Sequence, residues 1–540
     1  MIKNSLIINK KLEIFFKILF SLSCPAINLM FYRSGDRNIL FLSLAVSFLI
    51  GIFLSFKLFK YKFNEINIFR FILVFLFANL FLRTIYNYHF DDSFSWQYYG
   101  ISLWKLIITS LLSLYGLSFL LYFLLLKIGK PIINFFKSFN LKEKKFLLIY
   151  SALFLIFILI FYNITGIFYF YEDYKNACDY LYTTDNFYVF NSESFINLNS
   201  PCNDFGKQPL FGLFSAPFGV IVLFLSNIFF FIPNSYAIFM ALFQVLLSGI
   251  SIIMLGRMMG NNISDKTSLY IFYLCCFSTI FFVLVIEQYV ISTFYLITMI
   301  YTYFNMKKGT NYIYACGVGA LTTSAFLFPL AAKEKKLKDW LLSALDCLVF
   351  FLIVLILFGQ IRFLFEFIQN LFINVDNFSG KSLTFLERFQ QYLSFVKSIF
   401  MALPSYVVDK AVSSQEHYQY LIQPIYHFSK VGICILIITI LGFILNRKNK
   451  IAIVSFAWVI FSFIVIGVAG YGTAEMGTNL YGFYFGWAYI CLVYMFIDKV
   501  LKNDKYKRII IIILCLILLC INIPELINII KFGIKYFPAF

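Results

Sequence analysis

The chain has 540 residues, of which 61% are hydrophobic and 13% charged, with a mean hydropathy of +0.85 and a formal net charge of +18. That is more apolar surface than one water-soluble core can hide, which excludes an ordinary soluble protein and predicts an all-α, polytopic integral membrane protein. The basic residues lie in short segments between apolar runs. With no basic, aromatic-interleaved soluble domain beside them, no nucleic-acid partner is expected.

Apolar runs long enough to cross the hydrocarbon layer as a helix, about 17–25 residues, occur in chain order at 18–33 (short), 39–56, 69–86, 101–126, 146–170, 235–256, 268–286, 289–305, 340–358, 428–445, 451–470, 480–497 and 509–527. Two more, 209–232 and 311–331, are ambiguous. They predict about 11 to 14 crossings, all helical, because backbone exposed to lipid must satisfy its own hydrogen bonds. The N-terminal "MIKNSLIINKKLEIFFK" has no small-residue cleavage site and reads as a retained first helix with a cytoplasmic N-terminus.

Lysine and arginine in the loops set the orientation. Lys127, Lys130, Lys137, Lys142, Lys144 and Lys145, then "KEKKLKD" (333–339), "NRKNK" (446–450) and "DKVLKNDKYKR" (498–508), are expected on the cytoplasmic side, beside anionic headgroups of the membrane lipids. One crossing after Lys145, the segment 171–207 carries Glu172, Asp173, Asp179, Asp185, Glu193 and Asp204 against Lys175 and Lys207, and is read as an acidic outer loop. Counting back from "MKKGTN" (306–311) puts "GRMMGNN" (256–262) in the cytoplasm, so only one of 209–232 and 235–256 spans fully. Pro209, Pro217, Gly219 and Pro233 make the first the candidate for a short helix at the outer face. Gly317, Gly319 and Pro329 make 311–331 a broken or re-entrant segment, which is tolerated where protein or a water-filled cavity covers it.

The order of these elements resembles the GT-C superfamily of membrane glycosyltransferases, which use lipid-phosphate-linked sugars. A membrane helix leads into an outer loop with Glu172 and Asp173, then "KQPLFGLFSAPFG" (207–219), then the Gly-Arg turn "LGRMMG" (255–260). "LVIEQYVISTFYLI" (284–297) is similar to the family's Pro-Glu element, and "EMGTNLYGFYFGWAYICLVY" (475–494) to an outer turn and helix of bacterial members. Gln208 stands where many members have His, and Ile286 where many have Pro. The resemblance covers about 145–500. It divides the chain into an added transmembrane module (1–144), a catalytic core (145–358) with the outer loop 171–207, a second outer segment with interfacial helices (359–427), and C-terminal crossings (428–540).

The resemblance implies an inverting glycosyltransferase that moves a sugar from a polyprenyl-phosphate-linked donor to a lipid or cell-surface glycan acceptor, with no metal or other cofactor. The acidic loop does carry ligands suited to a divalent ion. The chemistry needs a carboxylate to take the acceptor proton and a cation for the leaving phosphate. Asp173 is the expected base, beside Glu172, with Asp185 as its rival. Tyr182 and Tyr188 are read as rings for the sugar, Lys207 and Arg388 as phosphate partners, and Gln208 as a further substrate contact. Glu287, an acid within a nearly continuous apolar run, is expected at the outer end of two crossings, where water lowers its cost. "FLERFQQYLSFVKSIF" (385–400) has the pattern of an interfacial amphipathic helix.

Three histidines without a His-Glu-x-x-His pattern argue against a zinc hydrolase, and no P-loop supplies an ATP-driven motor. Cys178 and Cys202 in the outer loop are compatible with a disulfide or with two thiols. The Phe, Tyr, Ile, Asn and Lys richness points to low-GC coding, hence a bacterial plasma membrane and an undecaprenyl-type carrier. Two other classes stay open: a lipid-linked polysaccharide polymerase or ligase, and a transporter or flippase of lipid-linked sugars.

Overall fold

A computed structural model describes residues 10–32, 37–58, 67–89, 103–168, 181, 182, 184, 195, 210–260, 266–305, 337–361, 379, 383–412, 415–423, 427–473 and 477–539. Among these residues ten helices are long and apolar enough to cross a membrane, or eleven if one bent pair counts as a single span. The chain is an all-α polytopic membrane protein. Its helices turn apolar side chains outward as well as inward: α5 (Leu141–Ile164) buries Tyr150, Phe154, Ile158 and Phe161 but exposes Leu148, Ile149, Ile156 and Ile160. A helix apolar all round is stable only where lipid, not water, meets its outer face.

The chain divides into two compact units. The first comprises Met1–Asn140, Glu193–Val220 and Leu348–Gln369, so two later stretches fold back into it. Its centre is α1 (Lys10–Phe31) packed on α2 (Arg37–Leu58) and α4 (Leu103–Lys137), with α3 (Ile68–His89) against α4. Along α2, Ser43, Ser47, Gly51 and Ser55 recur every fourth residue and are all buried. With no hydrophobic drive between helices in lipid, such a stripe of small residues permits close van der Waals approach. A Cβ on Gly51 would stand 2.8 Å from Ser21 O. Asn28 of α1 donates to Ser43 Oγ at 2.7 Å and to the Ile356 carbonyl, and Gln360 donates to Phe31 O at 3.1 Å.

The second unit comprises Leu141–Ser192, Ile221–Cys347 and Asn370–Phe540. The helix α6 (Phe211–Ile228) starts in the first unit and ends in the second, and α7 (Ser235–Met258) follows after a short turn. A bidentate ion pair joins Glu143, at the start of α5, to Arg257, at the end of α7: Nε to Oε1 at 2.8 Å and Nη2 to Oε2 at 2.7 Å. The two helices are therefore antiparallel, and both ends lie on what we call the basic face, with Lys142, Lys144 and Lys145. Tyr150 OH and Ser248 Oγ, 2.9 Å apart, hold the same pair at mid-height.

Next come α8 (Lys266–Cys275) and α9 (Phe277–Leu284), bent by 66° at Cys276, and α10 (Gln288–Asn305). Tyr162, near the end of α5, donates to Leu284 O at 2.8 Å, so α9 ends towards the far face. Thr298 Oγ1 lies 3.7 Å from the Met254 sulfur, so α10 returns to the basic face. The helix α11 (Leu337–Leu357) leads to the segment expected on the outer side, 359–427. The segment 311–331 lies outside the described residues.

The helix α12 (Phe385–Phe400) opens on a capping box between Thr384 and Glu387 and has every residue from Gln390 to Phe400 except Lys397 buried. Protein rather than an interfacial lipid layer covers it: α13 (Lys430–Asn446), α15 (Gly482–Val500) and the π-helical turn Phe463–Val468 that ends α14 (Lys450–Ser462). A Tyr392–Tyr489–Ser462 hydroxyl chain, at 2.6 and 2.7 Å, gives its polar side internal partners. Beyond it the chain forms a hairpin, β1 (Ser405–Val412) with β2 (Gln415–Ile422), paired from Ser405–Ile422 to Val412–Gln415. Its β-branched and aromatic residues favour the extended chain. The last helix, α16 (Asp504–Tyr536), has 33 residues. At 1.5 Å per residue it is about 50 Å long, more than the roughly 30 Å hydrocarbon layer needs.

Candidate functional site

Among the described residues, several buried polar side chains meet at the far face around the short helix α9. On one side the end of α5 docks on the end of α16: Gly166 N–H donates to Phe537 O at 2.8 Å, and Thr165 Oγ1 to the same carbonyl at 3.2 Å. The segment around Leu181 and Tyr182 then adds to the hairpin, with Tyr182 N–H on Tyr420 O at 2.8 Å. Three hydroxyls converge on one carboxylate oxygen, Glu525 Oε1: Tyr182 at 2.6 Å, Tyr420 at 2.9 Å, and Ser405. Burial, with the Glu525 charge next, holds the Tyr182 hydroxyl well above the ordinary tyrosine range, so it stays a donor. Burial raises Tyr420 likewise.

One turn earlier on α16, Asn522 clasps the bend between α8 and α9. Its Nδ2 donates to Cys275 O and to Phe400 O, both at 3.0 Å, and its Oδ1 accepts from Ala402 N–H at 2.8 Å. The bend frees the Cys275 carbonyl from the helix ladder, and this one amide satisfies it.

On the other side α9 ends at Leu284, and the chain turns through Val285, Ile286 and Glu287 into α10. The freed carbonyls take side-chain donors: Gln244 Nε2 lies 3.1 Å from Val285 O and 3.4 Å from Phe282 O, beside the Tyr162 bond to Leu284. Glu287 is fully buried, and its Oε2 accepts from Gln288 N–H at 3.3 Å. It stands directly before α10, where the positive end of the helix dipole favours a carboxylate. Gln244 Oε1, Gln288 Oε1, Ser292 Oγ, Thr293 Oγ1 and Asn479 Oδ1 are buried around this junction and along the helices beside it, with no hydrogen-bond partner among the described residues.

Between α14 and α15, the described residues 469–473 lie near Arg388 and the described residues 477–481 near Tyr289. Arg388 Nη1 donates to Val468 O at 3.3 Å, at the carbonyl end of the π-helical turn, where a cation suits the dipole. Gly470 and Gly472 follow at φ +73° and +78°; a Cβ on Gly470 would meet Arg388 Cδ at 2.8 Å, and one on Gly472 the Tyr481 ring at 2.6 Å. Tyr471 packs on Tyr481, and Tyr481 edge-on against Tyr289, two residues beyond Glu287, with ring centroids 5.9 and 6.0 Å apart.

Of the residues singled out in the sequence, Glu287, Arg388 and Tyr182 are described. Glu287 occupies the expected join of two helices on the far side, but protein encloses it, so the helix dipole and the Gln288 amide replace the expected water. Arg388 lies against Gly470 and Tyr289, two residues beyond Glu287, lies against Tyr481. Tyr182 was expected to offer a ring to a sugar; it is instead 2% exposed, packed edge-on against Phe277, Phe281 and Tyr420, and acts as a buttress for Glu525. Glu172, Asp173, Asp185, Tyr188, Lys207 and Gln208, with Cys178 and Cys202, lie outside the described residues. Gln244, Asn522 and Glu525 were missed, although each is a strongly polar residue inside an apolar run, which is the signal that marked Glu287. Among the described residues no cluster of three or more His, Cys, Asp or Glu side chains is arranged to hold a metal ion. No family model matches the chain, and neither a curated protein nor a solved structure matches it.

Proposed function

We propose that the protein is a membrane glycosyltransferase, moving a sugar from a polyprenyl-phosphate-linked donor to a lipid or glycan acceptor at the far face, which is the outer face of a bacterial plasma membrane. The observation that carries this reading is Glu287, a fully buried carboxylate at a helix junction, with Tyr289 two residues beyond it packed edge-on against Tyr481. A buried acid inside a membrane protein is a functional residue by default. The end of α5 lies at this face, and Asp173 follows five positions after Phe168 in the sequence.

In this reading the acceptor hydroxyl oxygen attacks the anomeric carbon while the bond from that carbon to the phosphate oxygen breaks, and the phosphate leaves with the electron pair. The acceptor proton passes to Asp173, with Glu172 beside it and Asp185 as the alternative base. Lys207 and Arg388 balance the charge that grows on the phosphate. Gln208, Glu287 and Tyr188 orient the sugar. No metal is required for this step.

The test uses purified protein in nanodiscs, offered undecaprenyl-phosphate-linked sugars, with release of undecaprenyl phosphate as the readout. Release that Asp173→Asn abolishes without lowering membrane expression supports the reading. Wild-type protein that releases none from any donor, while still binding one, turns it towards a polymerase, a ligase or a carrier of lipid-linked sugars. The 66° bend between α8 and α9 is the feature that favours a carrier, because broken helices at membrane depth form the binding sites of many transporters.

A further inference from the structure

We propose that Glu525 and Tyr182 are positioning residues for Glu287, acting through the short helix α9; the inference rests on the reading in which Glu287 orients the sugar. Contacts connect the two carboxylates step by step. Glu525 Oε1 takes the Tyr182 hydroxyl at 2.6 Å, and the Tyr182 ring packs edge-on against Phe281 and Phe277, with centroids 5.2 and 6.3 Å apart. Phe281 O then accepts from Val285 N–H at 3.1 Å, two residues before Glu287. Tyr182, Phe277 and Phe281 are all buried, so no water layer separates them.

A helix of 8 residues does not hold its own place, so its surroundings place it. Asn522 ties the start of α9 at the Cys275 carbonyl, and Tyr162 and Gln244 tie its end at Leu284 and Val285. Between those ends the stacked Phe277 and Phe281 rings rest on Tyr182. Glu525 follows Asn522 by three residues, on the same side of α16, so one turn of α16 governs both the start of α9 and its flank. Tyr182 is held, and not only packed. Its backbone has φ +52°, a left-handed conformation that a residue with a bulky side chain adopts only where its surroundings impose it. Its N–H on Tyr420 O at 2.8 Å and its hydroxyl on Glu525 impose it, while Thr184 N–H closes the turn on Leu181 O at 3.0 Å. Ser405 and Tyr420 orient Glu525 in turn. Without that carboxylate three hydroxyls lose their common acceptor, the Tyr182 ring can turn away from Phe281, and the join at Glu287 can follow.

The experiment uses the full chain in nanodiscs and two readouts, release of undecaprenyl phosphate from an undecaprenyl-phosphate-linked sugar and amide hydrogen exchange. Glu525→Leu is expected to lower kcat, counted per donor-binding protein, at least about tenfold while the donor KM stays within about threefold. Glu525→Gln keeps an oxygen for the three hydroxyls and is expected to recover most of kcat. In Glu525→Leu, exchange of peptides over 277–290 is expected to rise at least about tenfold, with peptides of α13 unchanged. Tyr182→Phe, which keeps the ring and removes its tie to Glu525, is expected to shift both readouts in the same direction by about threefold, and serves if the leucine variant does not fold. Unchanged exchange over 277–290 overturns the proposal, as does a rise shared equally by α13, or a local rise with kcat intact. The exchange readout does not need the reaction. Wild type that releases no undecaprenyl phosphate removes the transferase reading, and a rise confined to 277–290 then still assigns Glu525 the placing of Glu287.

Discussion

Tyr182 donates its hydroxyl to Glu525 Oε1 at 2.6 Å across 343 positions of sequence, tying Tyr182 to the C-terminal part of α16. The bond is charge-assisted and its donor is buried, so Tyr182→Phe costs about 1.5–3 kcal/mol. Differential scanning fluorimetry in detergent reads this as a lower midpoint. The hydroxyl is held above its unfolded value, so its contribution is complete below about pH 10 and declines as pH rises further. Tyr182→Phe is expected to reduce the slope of stability against pH above pH 10 and to leave it unchanged at neutral pH.

Glu143 and Arg257 form a largely buried bidentate pair. Removing one partner leaves the other charge poorly solvated, so Glu143→Leu and Arg257→Leu each cost about 3–5 kcal/mol, and the double variant costs less than the sum. A double-mutant cycle on the unfolding midpoint checks this. Additive losses would mean that the pair does not set the antiparallel packing of α5 on α7.

Asn522 serves three buried backbone groups at once, on Cys275, Phe400 and Ala402. Its replacement by Leu keeps the branched shape but strands all three, at about 1–3 kcal/mol each. Asn522→Leu is therefore expected to lower the midpoint more than Tyr182→Phe does, and Asn522→Asp to lie between wild type and Leu.

Glu287→Gln preserves size and removes charge at the join of α9 and α10. Sugar transfer in nanodiscs is expected to fall at least about tenfold, equivalent to about 1.4 kcal/mol of barrier, with little change in folding. Full activity in this variant, together with full activity in Asp173→Asn, would remove both carboxylates from the mechanism.

Class and most apolar helices were legible in the sequence because they follow from composition and run length, whereas the run 209–232, expected to fall short of a crossing, forms a helix long and apolar enough to span. A chain that is 61% hydrophobic cannot fold in water, and lipid admits only elements that close their own backbone hydrogen bonds. The join at Glu287 was equally legible, since a lone acid between two apolar runs marks a boundary. What the tertiary structure decided is how the ends meet. Residues far apart in sequence, such as Gln244 and Val285 or Asn522 and Cys275, satisfy groups that a break in a helix sets free, and no local pattern encodes which partner arrives. The same holds for α12, whose amphipathic pattern fits a membrane surface or a protein groove equally well. Its polar side found partners in Tyr489 and Ser462 only because α14 and α15 fold over it.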